Sequence, residues 1–298
     1  MEILVFGAGS LGSLLGGLLA RNHEVTLVGR NPHVRAVEEG GLRLSGHVET
    51  TVSPTARLET PESADLAVVC VKSFDTGSAA EALADCDIDA CLTVQNGMGN
   101  EAILEERLDA TVLAGTCTYG AIRTEPGSVQ CTGVGEVVLG PPTGGTSTVA
   151  NRVGSAFEAA GIVTTVADDM PRRLWEKLAV NAGINATTAL ARIENGGVLG
   201  GDAEAVATTA ARETAEVAQR EGVELPAQAA EEAVTRVADA TAANTSSMLQ
   251  DVSEGRRTEI DAINGYVADR ADDHALDVPV NRTLAGLVRA WEADRGLR

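Results

Sequence analysis

The first half of the chain alternates short apolar runs with helical stretches. Strand-like runs are predicted at 2–6, 23–28, 65–71 and 90–94. Helical periodicity separates them, in a run that ends near Ala20 and in stretches near 75–84 and 100–108. Strands that are apolar at nearly every position are typical of a parallel sheet covered on both faces. This alternation predicts an α/β domain with a Rossmann-like, doubly wound parallel sheet.

The pattern changes twice further along the chain. Between 112 and 140, short β runs broken by Gly and Pro predict hairpins at the edge of the sheet. A helix near 149–160 and a strand near 162–166 close this domain. Helices are then predicted at 171–191, 203–221, 226–242, 255–273 and 280–294. We therefore expect two domains, the α/β domain over 1–168 and an all-helical C-terminal domain over 169–298.

The charge balance narrows the classes of partner. Acidic residues outnumber basic residues 43 to 23, which gives a formal net charge of −20. A field of this sign repels phosphate backbones and anionic lipids, so neither nucleic acid nor a membrane is an expected partner. No run reaches the roughly 18 apolar residues that a membrane-spanning helix needs. A small molecule is the expected ligand. An excess of acidic residues together with few lysines is typical of halophilic proteins, and this chain has only two lysines. GC-rich coding, which favours arginine over lysine, is an alternative explanation for the scarcity of lysine.

Cysteine and histidine usage indicates the compartment. The five cysteines are an odd number without a Cys-x-x-Cys spacing, and the four histidines are scattered. Such cysteines are typical of reduced thiols in a cytoplasmic protein. Neither residue type has the spacing of a zinc site, so no metal is expected. The chain enters its first predicted strand at once, without the basic and apolar regions of a signal peptide.

A glycine-rich turn follows the first predicted strand and opens the first helix. It reads Gly7-Ala8-Gly9-Ser10-Leu11-Gly12 and fits the GxGxxG pattern. In that pattern the first glycine allows a tight turn, the second admits a pyrophosphate and the third lets helix and strand pack closely. The position of the turn, more than the pattern alone, predicts a dinucleotide site. A plain strand-to-helix turn is the alternative.

Arg30 follows the second predicted strand. The residue at this position usually determines whether such a domain prefers NAD or NADP. A site that prefers NAD carries Asp or Glu near this position, and an arginine suits the 2′-phosphate of NADP. The sequence therefore predicts NADPH as the cofactor. NADH stays open as an alternative, because arginine can also stack on adenine, and a plain surface arginine is the third reading.

Only two of the 23 basic residues are lysines, Lys72 and Lys177. Lysine can donate its proton when it is desolvated, whereas arginine holds its proton. Lys72 follows the strand at 65–71, and Asn96 follows the strand at 90–94, where open α/β sheets bind ligands. We therefore expect both near a ligand, against the alternatives of a surface lysine and a structural Asn-Gly turn.

Lys177, Asn181 and Asn185 are spaced at i, i+4 and i+8 on a predicted helix and so share one face. Asparagine is a poor residue inside a helix, so this stripe indicates a binding surface for a keto acid, with a solvated face as the alternative. Two later segments are ambiguous by themselves. The serines in Asn244-Thr245-Ser246-Ser247 suit a helix cap or a carboxylate site, and Glu259 suits a site or plain surface charge.

Together these motifs resemble those of the ketopantoate reductases, also called 2-dehydropantoate 2-reductases. The similarity runs along the whole chain: the glycine turn, Arg30, Lys72, QNGMG at 95–99, WEKLAVNAGIN at 175–185, NTSSMLQD at 244–251 and EIDAING at 259–265. The resemblance implies reduction of 2-dehydropantoate to (R)-pantoate with NADPH, in the synthesis of pantothenate and coenzyme A. It also implies that both lysines occupy functional positions.

The resemblance further implies a role for each matching residue. Lys177 would donate the proton, with Glu259 near the substrate hydroxyl. The cofactor would contact Gly7 to Gly12, Arg30, Lys72, Asn96, Gly120 and Glu259. The substrate would contact Asn96, Lys177, Asn181, Asn185, Asn195, Asn244, Thr245, Ser246 and Ser247. Helical second domains of such enzymes often pair, so a homodimer is expected.

Four other functions stay open at this point. The chain could be a reductase of another branched 2-keto acid, or a dehydrogenase of the 6-phosphogluconate or glycerol-3-phosphate type. From other classes, it could be a non-catalytic NADPH sensor or an acidic scaffold with a vestigial glycine turn. A sensor needs no proton donor, so the stripe that begins at Lys177 argues against it.

The net charge of −20 leads us to expect lower stability in dilute than in molar salt. Like charges repel over a Debye length that falls from about 10 Å at 0.1 M to about 3 Å at 1 M. The thermal midpoint, followed by circular dichroism, should therefore rise between dilute and molar KCl. A midpoint that stays constant or falls over this range would contradict the prediction.

Overall fold

The computed structural model describes residues 1–298, which form two compact units. The first unit comprises Met1–Gln95 and Asn100–Met170. The second comprises Asn96–Gly99 and Pro171–Arg298, so a four-residue segment from the first half of the chain belongs to it.

The first unit contains twelve strands and five helices. The strands are β1 (Glu2–Phe6), β2 (Glu24–Val28), β3 (Leu42–Gly46), β4 (Thr50–Val52), β5 (Thr55–Arg57), β6 (Ser63–Val69), β7 (Asp87–Thr93), β8 (Thr111–Cys117), β9 (Gly120–Glu125), β10 (Ser128–Gly133), β11 (Val137–Gly140) and β12 (Thr164–Val166). The helices are α1 (Ser10–Leu19), α2 (His33–Gly40), α3 (Thr76–Leu83), α4 (Asn100–Glu105) and α5 (Thr148–Ala159).

The main sheet has eight strands in the order β12-β11-β8-β7-β6-β1-β2-β5. The six strands from β8 to β5 are parallel, and β11 joins β8 in the antiparallel direction. Because β1 pairs with β2 on one side and β6 on the other, the strand order reverses at β1. The predicted α/β class with a doubly wound, mainly parallel sheet is confirmed.

Both faces of this sheet are covered, which explains the uninterrupted apolar strands. Ile3 and Val5 face one core, which includes residues of α1 and α5. Leu4, between them, faces the other core with residues of α3 and α4. Since successive side chains of a strand point to opposite faces, a strand covered on both sides must be apolar at every position.

A second sheet of four strands, in the order β4-β3-β10-β9, lies against α1. The sequence pattern did not predict β3, β4 or β5, because these strands are only three to five residues long and partly polar. Their presence explains the composition of α1. Its residues from Gly12 to Leu19 are all buried, as expected for a helix enclosed by structure on more than one side.

The prediction of edge hairpins between 112 and 140 was wrong in part. Only β9 and β10 form a hairpin, and it belongs to the second sheet. The strands β8 and β11 belong to the main sheet, where β8 also pairs in parallel with β7. In this region the local pattern indicated short strands, but it did not determine which sheet each strand joins.

The second unit is helical, as predicted. Its helices are α6 (Met170–Ala191), α7 (Asp202–Arg220), α8 (Ala227–Ala240), α9 (Ser247–Ser253), α10 (Tyr266–Asp273) and α11 (Pro279–Asp294). The helix predicted at 255–273 is shorter: a π-helical turn at Asp261–Gly265 leads into α10, and the separate helix α9 was not predicted. None of the helices combines the length and apolar character that crossing a membrane requires.

Buried polar side chains hold this helical unit together. The Glu213 carboxylate on α7 accepts the backbone N–H groups of Val280 and Asn281 at the start of α11, at 3.0 and 2.9 Å. The Asn281 side chain accepts a hydrogen bond from Asn264, which also donates to the Ala182 carbonyl of α6. The π-helical turn is thereby attached to α6, the helix that carries Lys177. A carboxylate at a helix N-terminus is also favoured by the helix dipole.

His33 joins α2 to its neighbours in the first unit. Its Nδ1 accepts the Gly127 N–H at 3.0 Å, so the proton is on Nε2, which lies 2.9 Å from the Ser13 hydroxyl. Burial, and secondly the charge of Arg123, lower the pKa of His33 from 6.5 to about 4. The neutral imidazole therefore connects α1, α2 and the turn between β9 and β10.

This histidine should make stability depend on pH. Below pH 6.5 the unfolded chain protonates His33, whereas the folded chain does so only near pH 4. The contribution of His33 to the stability of the folded protein is therefore fully present above pH 6.5 and is lost as the pH falls toward 4. As the pH falls from 6.5 to 4, the free energy of unfolding of the wild-type protein should decrease faster than that of His33→Gln. The difference between the two slopes should be about 1 kcal/mol per pH unit.

Chemical denaturation in molar KCl at several pH values measures the difference. The exposed His47 offers a matched control, because His47→Gln also removes one imidazole. Parallel stability curves for the wild-type protein and His33→Gln would contradict the prediction.

Candidate active site

The glycine turn lies where the strand order of the main sheet reverses. It follows β1, next to the residues that follow β6. Gly7 has φ of +107°, and a Cβ there would lie 2.7 Å from the Val71 backbone nitrogen, so only glycine fits. The N–H groups of Gly7 and Ala8 both donate to the Val28 carbonyl at 2.9 Å. Open α/β sheets bind their ligands at this kind of reversal point.

Gly9 and the N-terminus of α1 fit a dinucleotide. Gly9 is the N-cap residue, and no side chain caps the helix. A Cβ on Gly9 would come no closer than 4.0 Å to other atoms, so packing does not require glycine there. The open side of Gly9 and the N–H groups of the first turn suit a pyrophosphate. Ser10 also accepts the Arg123 N–H at 3.0 Å, which attaches β9 to this turn.

Two cationic side chains follow the strands on either side of β1. Arg30 comes after β2, and its side chain is 91% exposed, with Nη2 3.8 Å from Asp75 Oδ2. Lys72 comes after β6, is partly buried, and is followed by a short 3-10 turn, Ser73–Asp75. Both residues therefore lie at the carboxyl edge of the sheet with the glycine turn.

Gly120 is the first residue of β9, in the second sheet. A Cβ at this position would lie 2.5 Å from the Thr132 hydroxyl of β10. Close packing of the hairpin is therefore sufficient to explain the glycine, and a cofactor contact there stays a prediction.

Lys177, Asn181 and Asn185 lie on α6, as the spacing predicted. Lys177 and Asn181 are partly buried and Asn185 is buried. The amide nitrogen of Asn181 is buried and has no hydrogen-bond partner. A buried donor without an acceptor is costly in a folded protein, which makes this amide a strong candidate for binding a ligand oxygen.

Asn96 and Glu259 are brought together within the second unit. The Asn96 amide donates to Glu259 Oε2 at 3.3 Å, and Glu259 is buried. Gly97 has φ of +82°, and a Cβ there would lie 2.5 Å from Ala262. The Met98 N–H donates to the Ala262 carbonyl at 3.0 Å. The Asn-Gly turn is therefore structural in part, because it seats Asn96 beside Glu259.

The sequence did not reveal how Glu259 is held. The carboxylate of Glu292, on α11, accepts both the backbone N–H and the hydroxyl of the preceding Thr258 at 2.7 Å. Glu292 is fully buried and is paired with Arg298 at 2.8 Å. No local pattern indicates these contacts, since 34 residues separate Thr258 from Glu292.

Asp261 fixes the other side of Glu259. Burial alone would raise the pKa of Asp261, but hydrogen bonds from Arg289 and Arg298 hold it below its ordinary value. The Asp261 carboxylate lies 2.8 Å from Arg289, 2.9 Å from Arg298 and 3.5 Å from Arg257. The segment that carries Glu259 is thus fixed on both sides of that residue.

The segment from Asn244 to Ser247 begins α9. The Ser246 hydroxyl accepts the Leu249 N–H at 3.1 Å and lies 2.7 Å from the Thr188 hydroxyl of α6. Thr188 donates to the Ile184 carbonyl, so Ser246 is the donor of the bond between the two hydroxyls. Ser246 therefore serves as a helix cap, one of the two roles the sequence suggested. Thr188 was not among the predicted residues.

Asn195 and the exposed residues Asn244 and Thr245 complete the predicted set. Asn195 is buried, and its amide donates to the Thr241 hydroxyl at 2.9 Å. Its backbone N–H donates to the Asn244 carbonyl, also at 2.9 Å. Asn195 therefore shapes the segment before α9, while its buried side-chain oxygen has no partner.

Each unit thus presents one set of chemical groups. The first offers a phosphate-binding turn with two cations. The second offers an ammonium group, several carboxamides and a buried carboxylate. Such a set can bind a small oxo acid, orient it and protonate its carbonyl oxygen.

Two family models match the chain. The model described as ketopantoate reductase PanE/ApbA matches residues 3–144, and the model of the C-terminal region of the same family matches residues 169–292.

Curated relatives and solved structures agree with the matches to these two family models. A 2-dehydropantoate 2-reductase of Halobacterium salinarum is 46% identical, with 99% of this chain and 100% of the relative covered. One of Archaeoglobus fulgidus is 39% identical, with 98% of each chain covered. The structure of a PanE/ApbA family ketopantoate reductase from Ralstonia eutropha JMP134 has a TM-score of 0.90 at 36% identity, over 99% of this chain and 100% of that one. The ternary structure of D-mandelate dehydrogenase with NADH and anilino(oxo)acetate has a TM-score of 0.93 at 25% identity, over 100% of each chain. This chain belongs to the ketopantoate reductase family.

Proposed function

We propose that this protein reduces 2-dehydropantoate to (R)-pantoate with NADPH, for the synthesis of pantothenate and coenzyme A. The observation that carries the proposal is the polar face of α6. There Lys177 precedes the buried, partnerless amide of Asn181 on the same face of the helix. An oxo acid offers the acceptor oxygens that this face lacks.

In the proposed reaction, bound NADPH supplies the hydride that C2 of the oxo acid receives. Gly7 to Gly12 bind its pyrophosphate, and Arg30 binds its 2′-phosphate. Lys177 stabilises the negative charge that develops on the carbonyl oxygen and donates a proton to it. General acid catalysis of this kind contributes about 10²–10⁴-fold to a rate.

The surrounding side chains orient the substrate. Glu259 accepts from the Asn96 amide and, in this proposal, from the primary hydroxyl of the substrate. Asn181 and Asn185 donate to substrate oxygens, and Thr245 and Ser247 bind the carboxylate, since Ser246 is already used as a cap. Such positioning can contribute as much as proton transfer does.

We also propose the setting in which the enzyme works. The five free cysteines support a reducing cytoplasm, and the charge of −20 supports a salt-rich one. Leu190 and Leu287 are large apolar side chains exposed on helices of the second unit, which supports a homodimer formed through that unit.

A related oxo acid is the second candidate substrate. It is favoured by the likeness to D-mandelate dehydrogenase, whose structure contains NADH and anilino(oxo)acetate. Both reactions transfer a hydride to or from the carbon next to a carbonyl group, so the fold by itself does not choose between them.

Turnover of alternative substrates tests the proposed function. In molar KCl, NADPH oxidation should proceed with 2-dehydropantoate at a kcat/KM at least about tenfold above that with benzoylformate, because benzoylformate lacks the hydroxyl that would donate to Glu259 in addition to Asn96. A preference for benzoylformate would favour the second candidate. NADPH binding without turnover of either compound would favour a sensor.

Replacement of Lys177 tests the mechanism. Lys177→Ala should lower kcat by at least about a hundredfold, because the general acid is lost. Lys177→Arg should also be impaired, because arginine holds its proton. Cofactor binding should stay unchanged in both variants. Steady-state kinetics and fluorescence titration of NADPH measure these effects.

The neighbouring Glu176, which pairs with the exposed Arg236 at 3.3 Å, offers a matched control. Glu176→Gln changes a charge on the same helix and should keep wild-type turnover. Near-normal rates in either Lys177 variant would refute its role.

A further inference from the structure

We infer that Asp75 is a second determinant of cofactor choice: it weakens binding of the 2′-phosphate at Arg30 and accepts the 2′-hydroxyl of NADH. The protein would then use both dinucleotides with only a narrow preference for NADPH. This inference rests on the proposed function, because it assumes that the adenosine ribose binds beside Arg30.

The two side chains meet at the carboxyl edge of the main sheet. Arg30 follows β2, and Asp75 ends the short turn that follows β6 and Lys72. Because β2 and β6 pair with β1 on opposite sides, the two residues lie on either side of the glycine turn. Arg30 Nη2 and Asp75 Oδ2 are 3.8 Å apart.

Stability does not explain this pair. The side chains are 91% and 38% exposed, and an ion pair in such a position contributes little to folding. Asp75 is also the N-cap residue of α3, a position where aspartate usually accepts backbone N–H groups of the helix. Its side chain makes no such capping bond here. The carboxylate is therefore available to a ligand at Arg30.

The two cofactors differ in the group that would meet Asp75. A phosphate monoester carries a charge of about −1.5 to −2 near neutral pH and only accepts hydrogen bonds when fully ionised. Seated on Arg30, it would be repelled by the carboxylate beside it. The 2′-hydroxyl of NADH is neutral and can donate to that carboxylate, which is how NAD-binding sites commonly hold the ribose.

Binding of NADPH and NADH to the full-length protein tests the inference without any substrate. Dissociation constants are measured from the nicotinamide fluorescence of each cofactor, in about 0.5 M and about 2 M KCl. In Asp75→Asn, NADPH should bind at least about threefold more tightly and NADH no more tightly than in the wild type. The gain for NADPH should shrink at the higher salt concentration, because it is electrostatic.

Three further variants sharpen the comparison. Asparagine caps helices as well as aspartate does, so Asp75→Asn should stay folded, and Asp75→Ser provides a second replacement of the same kind. Glu39→Gln is the matched control: it removes one carboxylate from an exposed pair with Arg35 on α2 and should leave both constants unchanged. Arg30→Ala should weaken NADPH and affect NADH less.

The outcomes separate this inference from the proposed function. Unchanged or weaker NADPH binding in both Asp75 variants would overturn the inference while the reductase activity stands. Tighter binding of both NADH and NADPH in the Asp75 variants would also overturn the inference, because a general effect of removing a negative charge would then explain the result. Failure of the wild-type protein to bind either dinucleotide would overturn both the inference and the proposed function.

Discussion

The helical unit depends on one constraint, that polar groups removed from water must find hydrogen-bond partners. Nearly half of its buried core residues are alanine, which brings helices close but offers little apolar surface per residue. Buried carboxylates and carboxamides supply directional contacts between the helices instead. Glu213 and Asn281 attach α11 to α7, and Asn264 attaches the π-helical turn to α6. Removal of one partner from such a network leaves another polar group unsatisfied, so the network specifies a unique arrangement.

The same constraint separates supporting residues from residues available for chemistry. The Ser246 hydroxyl and the Asn195 amide nitrogen are both used in holding the start of α9 and the turn before it. Glu292 is used in holding Thr258, and through it the segment of Glu259. By contrast, the amide nitrogen of Asn181 is buried and has no hydrogen-bond partner. Because no contact within the protein uses this N–H group, a ligand oxygen can accept from it.

The distribution of charge is the second feature that bears on ligand binding by this protein. A chain with a net charge of −20 repels anionic cofactors and oxo acids at long range. Cations lie among the groups proposed to bind such ligands: Arg30 and Lys72 follow strands of the main sheet, and Lys177 lies on α6. Asp75 places a carboxylate within 3.8 Å of one of these cations. Specificity at such a position depends on the balance of two opposite charges, more than on the presence of an arginine alone.

Part of this protein could be predicted from the amino-acid sequence alone. The apolar strands, the glycine turn after β1, the helix with its stripe of Lys177, Asn181 and Asn185, and the family were all evident there. These features depend on residues that are close in sequence or on motifs with fixed spacing.

Only the tertiary structure decided the remaining features. It added the second sheet over α1, separated the β runs between 112 and 140 into two sheets, and replaced the predicted start of the helix at 255 by the π-helical turn. It also shows that Ser246 serves as a helix cap, that Glu292 binds Thr258 and that Asp75 lies beside Arg30. Each of these depends on groups far apart in the chain, whose meeting is determined by the packing of whole elements, and no local pattern of polar and apolar residues records it.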